Sequence, residues 1–122
     1  MKPEGNFILN RLKALKYAAK GFQILITSEN SIIAQIIIAI IMTIVGLIMQ
    51  ISATEWMFQI LVIALVLVAE SLNTAIEKLA DFVHPDFHKK IGVIKDISAG
   101  AAFFAAIFAV IIGLIIYIPK FI

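Results

Sequence analysis

The chain has 122 residues, 62% of them hydrophobic, with a mean hydropathy of +1.07. So much apolar surface does not suit a soluble domain of this length, and an integral membrane protein is expected. Cysteine is absent, which excludes disulfides and thiolate chemistry. The net charge of +2 sits on basic residues that flank apolar runs, so nucleic acid is not expected as a partner.

The first element, about residues 6–28, repeats apolar residues at helical spacing: Ile8, Leu12, Leu15, Ala19, Phe22 and Ile26. These lie within about 40° of one direction, with Lys13, Lys16 and Lys20 on a flank. An amphipathic basic helix of this kind suits the membrane interface; a polar helix capping a bundle is the alternative. Ser28, Asn30 and Ser31 are cap-type residues at which the chain can turn into a span.

Three apolar spans follow, at about 31–51, 56–83 and 96–118, each long enough to cross a bilayer. The first long apolar run begins near Ile32, after a mixed segment, so no cleavable signal peptide is expected. The first connection is a few residues around Ser52–Glu55; the second, His84 to Lys95, is longer and basic. Together these make one all-α membrane domain over residues 1–122. Lysine and arginine crowd the N-terminal segment and the second connection and are missing from the first. The positive-inside rule therefore puts the N-terminus and the end of span two in the cytoplasm. Lys120, on the other side, is a mild exception.

Span two carries an acidic stripe. At 100° per residue, Glu70, Asn73, Glu77 and Asp81 fall at about 0°, −60°, −20° and +20°. Acidic residues inside a bilayer are costly and are functional by default. A helix end leaving the bilayer explains Asp81 well and Glu70 poorly. With Trp56 at the outer boundary, Glu70 lies about 21 Å along the helix, just inside the inner leaflet. Glu77 falls at about the cytoplasmic boundary. Glu29, Lys95 and Asp96 lie near the same face. Hard cations such as Mg²⁺ take carboxylate and phosphate oxygens. A lysine can offset phosphoryl charge, and a partly desolvated carboxylate can act as a general base. No Walker A motif, kinase Gly-rich loop or DFG triplet occurs. His84 and His88 lack metal-ligand spacing. Ser98–Ala102, Gly46 and Gly113 read as close-packing positions, and Gln35 is open between a helix contact and a lipid contact.

The segment Glu70-Ser71-Leu72-Asn73-Thr74-Ala75-Ile76-Glu77 resembles the E-x-x-N-[ST]-A-I-E signature of the prokaryotic diacylglycerol kinase family, which includes undecaprenol kinases. Lys95-Asp96 followed by Ser98-Ala99-Gly100-Ala101, and Tyr17, Lys20-Gly21 and Glu29 further upstream, extend the likeness over essentially the whole chain. The resemblance implies a homotrimeric enzyme of the bacterial inner membrane with shared active sites, three spans and a surface helix per protomer. It would transfer the γ-phosphoryl of ATP to a lipid alcohol at the cytoplasmic leaflet, feeding phospholipid or lipid-carrier metabolism. It further implies Glu70 as general base and Glu29 and Glu77 as holders of Mg²⁺. Tyr17, Asp86, His88, Lys95 and Asp96 match nucleotide contacts, together with Arg11 or Lys13 at the N-terminus. Lys20, Asn73, Asp81 and Ala99 match positions lining the site. Diacylglycerol and undecaprenol both remain open as acceptors, with a slight tilt to undecaprenol. A small ion-coupled transporter and a non-catalytic assembly subunit are the competing classes. Acids crowded at one interface weigh against the first; Glu29, Glu77 and Lys95-Asp96 left without a task weigh against the second.

Overall fold

The computed structural model describes residues 6–122, which form four α-helices and a short 3-10 turn. Helix α1 (Phe7–Ser28) opens at Asn6, whose side chain accepts a hydrogen bond from the Leu9 N–H at 2.7 Å. None of its residues is buried. The break before α2 (Asn30–Met49) is the single extended residue Glu29, with φ −102° and ψ 108°. The cap-type residues around it do not cap α2: the Ser28 hydroxyl donates back to the Ile24 carbonyl at 2.6 Å. The Glu29 side chain is therefore left available for a contact elsewhere.

Helix α2 ends at Gln50, a non-glycine residue in the left-handed region at φ 52°. Such a residue stops a helix and lets the next N–H groups reach back to its last carbonyls. Here Ile51 N–H bonds the Gly46 carbonyl at 3.2 Å. Ser52 then starts α3 (Ala53–Val83) with a reciprocal cap: Glu55 N–H donates to Ser52 Oγ at 3.1 Å, and Ser52 N–H to Glu55 Oε1 at 2.9 Å. The cap carries the helix back to Ala53, so Glu55 is in its first turn rather than in a loop. A helix of 31 residues is about 46 Å long, well beyond the roughly 30 Å of a hydrocarbon core. Its acidic C-terminal part can therefore stand at and beyond a membrane boundary.

Helix α4 (Lys89–Tyr117) begins earlier than the basic composition of 84–95 suggests. His88 caps it by accepting the Lys90 N–H on Nδ1 at 3.1 Å, so Lys89, Lys90 and Lys95 are helical and the connection shrinks to 84–88. The 3-10 turn Ile118–Lys120 follows.

Helices α2, α3 and α4 are long and apolar enough to cross a membrane. The most extensive packing is between α3 and α4; α2 lies on α3, and α1 touches α2. Gly46 brings α2 and α3 together, because a Cβ there would fall 2.8 Å from Trp56 Cη2. Among the described residues, no other helix comes within 4 Å of such a Cβ at Gly100 or Gly113. Large apolar side chains such as Leu47, Leu61 and Phe103 face outward, whereas Gln59, Asn73, Thr74 and Ser98 are buried. This inversion suits a lipid solvent, which solvates apolar groups and leaves polar ones to find partners inside. A cavity of about 600 Å³, almost wholly apolar, opens between α2, α3 and α4; Gln35 lines it.

Candidate active site

A second, polar cleft of about 260 Å³ lies at the acidic end of the bundle. Its lining is Glu29 and Ser31, from the start of α2, with Glu70, Thr74, Glu77, Lys78 and Asp81 from α3. Helical periodicity builds the α3 wall: residues 70, 74, 77 and 81 return to one face every turn. The one-residue break at Glu29 brings the other wall, because no helical backbone there carries the chain past α3.

Each carboxylate is held differently. Glu29 is largely enclosed and pairs with Lys78, Nζ to Oε1 3.0 Å. Glu77 is exposed and accepts a hydrogen bond on Oε1 from Asn73 Nδ2 at 2.8 Å. Asp81 pairs with Lys95, which reaches across from α4. Glu70 is partly buried, one turn short of Thr74. Asn73 is buried, and its Oδ1 has no hydrogen-bond partner; the buried Ser98 Oγ on α4 is also unpartnered. An unpaired buried oxygen costs about 1–3 kcal/mol, so it marks a place where another group is due.

The stripe residues Glu70, Glu77 and Asp81 thus share a cleft with Glu29, while Asn73 and Lys95 touch it through Glu77 and Asp81. Other candidates lie outside its lining. Arg11 stacks over the Phe7 ring at 5.2 Å, and Tyr17 and Lys20 are exposed on α1. Asp86 and His88 are in the short loop, where the Asp86 carbonyl contacts His84 Nδ1 at 2.6 Å and the His84 and His88 rings lie 5.1 Å apart. Asp96 and Ala99 are exposed on α4. Among the described residues no cluster of three or more His, Asp or Glu is close enough to hold a metal ion. Lys78, Thr74 and Ser31 line the cleft in addition to the site residues expected from the sequence, where Ser31 reads as a cap and Thr74 only as part of the signature segment. Thr74 and Lys78 stand at about 40° and 80° from Glu70, on the edge of the stripe, so a wider angular window would have included them.

Sequence comparison bears on the family resemblance. The prokaryotic diacylglycerol kinase family matches residues 16–117. The chain belongs to this family. The undecaprenol kinase of Bacillus subtilis (strain 168) is 34% identical over 113 residues, 92% of each chain. The diacylglycerol kinase of Escherichia coli (strain K12) is 27% identical over 100 residues, 82% of each chain. That of Synechocystis sp. (strain ATCC 27184 / PCC 6803 / Kazusa) is 43% identical over 56 residues, 45% of this chain and 32% of the relative. The protein is accordingly a membrane enzyme of the lipid kinase type. As a diacylglycerol kinase family member it carries every cleft-lining residue inside the matched segment, whereas Arg11 lies upstream of it.

Proposed function

We propose that the enzyme transfers the γ-phosphoryl of ATP to the hydroxyl of a membrane lipid alcohol, undecaprenol, at the cytoplasmic leaflet of the bacterial inner membrane. The acceptor follows the fuller and closer match to an undecaprenol kinase than to the Escherichia coli diacylglycerol kinase. The observation that carries the chemistry is the charge of the cleft. Among the described residues, the four carboxylates Glu29, Glu70, Glu77 and Asp81 have two lysines paired to them, Lys78 and Lys95, an excess of negative charge that would repel a polyphosphate. A divalent cation resolves this, and the donor set, carboxylates and hydroxyls without nitrogen or sulfur ligands, suits Mg²⁺. Glu29 and Glu77 would hold it, and once bound it would neutralise phosphoryl charge.

The residues of the chain divide the remaining work by depth. Glu70 lies about 10 Å further into the bilayer than Glu77, seven residues earlier on α3. It therefore meets the hydroxyl of an acceptor whose tail is in lipid, and takes its proton as general base. Asn73 orients Glu77 through the 2.8 Å bond. Lys95 and Asp96, with Tyr17, Asp86 and His88, serve the nucleotide. The apolar repeat of α1, unburied along its whole length, would lie in the membrane interface as an amphipathic helix.

Most of the nucleotide-contacting set lies outside the carboxylate cleft of its own chain, so the reading includes a homotrimer in which neighbouring protomers complete each site. Glu77→Gln and Asp96→Asn proteins, each strongly impaired alone at low Mg²⁺, should regain part of the activity when co-assembled and assayed at that Mg²⁺ level. No rescue at verified mixing would confine the site to one chain. Turnover of ATP by the purified protein in mixed micelles, with undecaprenol and diacylglycerol side by side, tests the acceptor. Undecaprenol should be the better substrate; a preference for diacylglycerol reverses the assignment, and turnover on neither ends the kinase reading.

A further inference from the structure

The two carboxylates assigned to the cation are restrained in opposite ways. Glu77 is held by a neutral amide, Asn73 Nδ2, at 2.8 Å. Such a donor occupies one oxygen and carries no net charge, so a cation can share the carboxylate with it. Glu29 is held by a full positive charge, Lys78 Nζ, 3.0 Å from Oε1. An ammonium and a divalent cation compete for the same lone pairs and repel one another.

Burial of the pair is asymmetric: the Glu29 side chain is 18% exposed and that of Lys78 is 65% exposed. The carboxylate is fixed in the wall, and the ammonium reaches it from the solvent side on a flexible stem. Lysine is a compact, strongly hydrated charge with freely rotating bonds. A pair this exposed on one side is weakly held, so Lys78 can withdraw without either helix moving. No other lysine among the described residues lines the cleft; Lys95 is engaged by Asp81.

We propose that Lys78 is a tethered counter-ion for Glu29: it occupies the carboxylate in the metal-free enzyme and is displaced when a divalent cation binds. It thereby sets the cation concentration at which the site fills. Without it, Glu29 would face Glu70, Glu77 and Asp81 with no positive partner of its own. With it, the metal-free cleft is partly neutralised, and every cation that enters must first break an ion pair. Lys78 acts here as a positioning residue, through Glu29. The proposal rests on the reading of Glu29 as a metal-holding residue.

The test uses Mn²⁺ as the probe and purified, nucleotide-free protein in detergent, with free Mn²⁺ followed by electron paramagnetic resonance. Lys78→Met and Lys78→Gln should each bind Mn²⁺ about three- to ten-fold more tightly than the parent, the scale of removing one nearby, partly screened charge. Lys78→Arg, which keeps the charge, should not. Glu29→Gln should weaken binding. If Glu29→Gln binds as the parent does, the metal reading falls and the counter-ion role with it. If Glu29→Gln weakens binding while both neutral Lys78 variants bind no more tightly than the parent, Glu29 keeps its role and the Lys78 proposal is overturned. Binding by Lys78→Arg as tight as by Lys78→Met overturns it too.

Discussion

At the turn between α2 and α3, polar side chains close on one another. Ser52 and Glu55 exchange hydrogen bonds, Lys120 reaches both Glu55 oxygens at 3.1 and 3.2 Å, and the buried Gln59 joins the Met42 carbonyl to the Tyr117 hydroxyl at 3.0 and 2.6 Å. At the opposite end the pairs leave a remainder: carboxylates outnumber lysines in the cleft, and Asn73 Oδ1 is buried without a partner. Both ends therefore place polar groups at a membrane boundary, with different outcomes. A set closed on itself fastens three spans together. A set left open needs a further species, and that is the end where the family's signature lies.

Substitutions can break this contrast, and the largest effect should come at the open end. Glu70→Gln keeps the size of the side chain and removes the proton acceptor. Turnover should fall about 10²-fold or more, the scale of lost general-base catalysis, with ATP affinity nearly unchanged and the unfolding midpoint in micelles preserved. Loss of ATP affinity with chemistry otherwise intact would move Glu70 into the nucleotide site. Glu77→Gln, which weakens cation binding, should lower turnover less at saturating Mg²⁺ than at low Mg²⁺. A Mg²⁺ titration identical to that of the parent would remove Glu77 from the cation site.

At the closed end the effects should be on stability, with turnover per folded molecule unchanged. In Gly46→Ala the new methyl group would meet the Trp56 ring at 2.8 Å, and overpacking of this kind costs about 1–3 kcal/mol. Tyr117→Phe leaves the Gln59 Oε1 without its donor, and interhelical hydrogen bonds in membranes are worth about 0.6–1.7 kcal/mol. Glu55→Gln should have the smallest effect, and the difference from the parent should shrink as salt is added. Detergent-micelle unfolding read by Trp56 fluorescence ranks the three. An equal loss of turnover from Tyr117→Phe would mean that the two ends are mechanically coupled.

The open end was legible because helical periodicity writes it on one segment: Glu70, Glu77 and Asp81 needed only the 100° step to be placed together, and Glu29 needed only its position beside a span. The closed end was not, since Gln59 finds Tyr117 at a separation of 58 residues and Glu55 finds Lys120 at 65. No periodic pattern encodes such contacts. Lys78 carries no such signal for a different reason: charged residues near a helix end are ordinarily solvated, and its partner sits at the break before α2. The start of α4 lies earlier than composition suggests, because three lysines read as loop while the cap that begins the helix belongs to a histidine side chain.

The reciprocal cap at Ser52 and Glu55 also bears on how the chain is assembled. If the acidic end of α3 faces the cytoplasm, as proposed above, the tip between α2 and α3 crosses the bilayer during synthesis. Its polar groups are matched by residues three positions apart, so this pairing needs no other part of the chain. Lys120 follows Glu55 by 65 residues and adds its charge to a tip whose own polar groups are already paired. The hairpin can therefore enter the membrane as one unit, and the fastening across its tip closes only once α4 and the turn after it are in place.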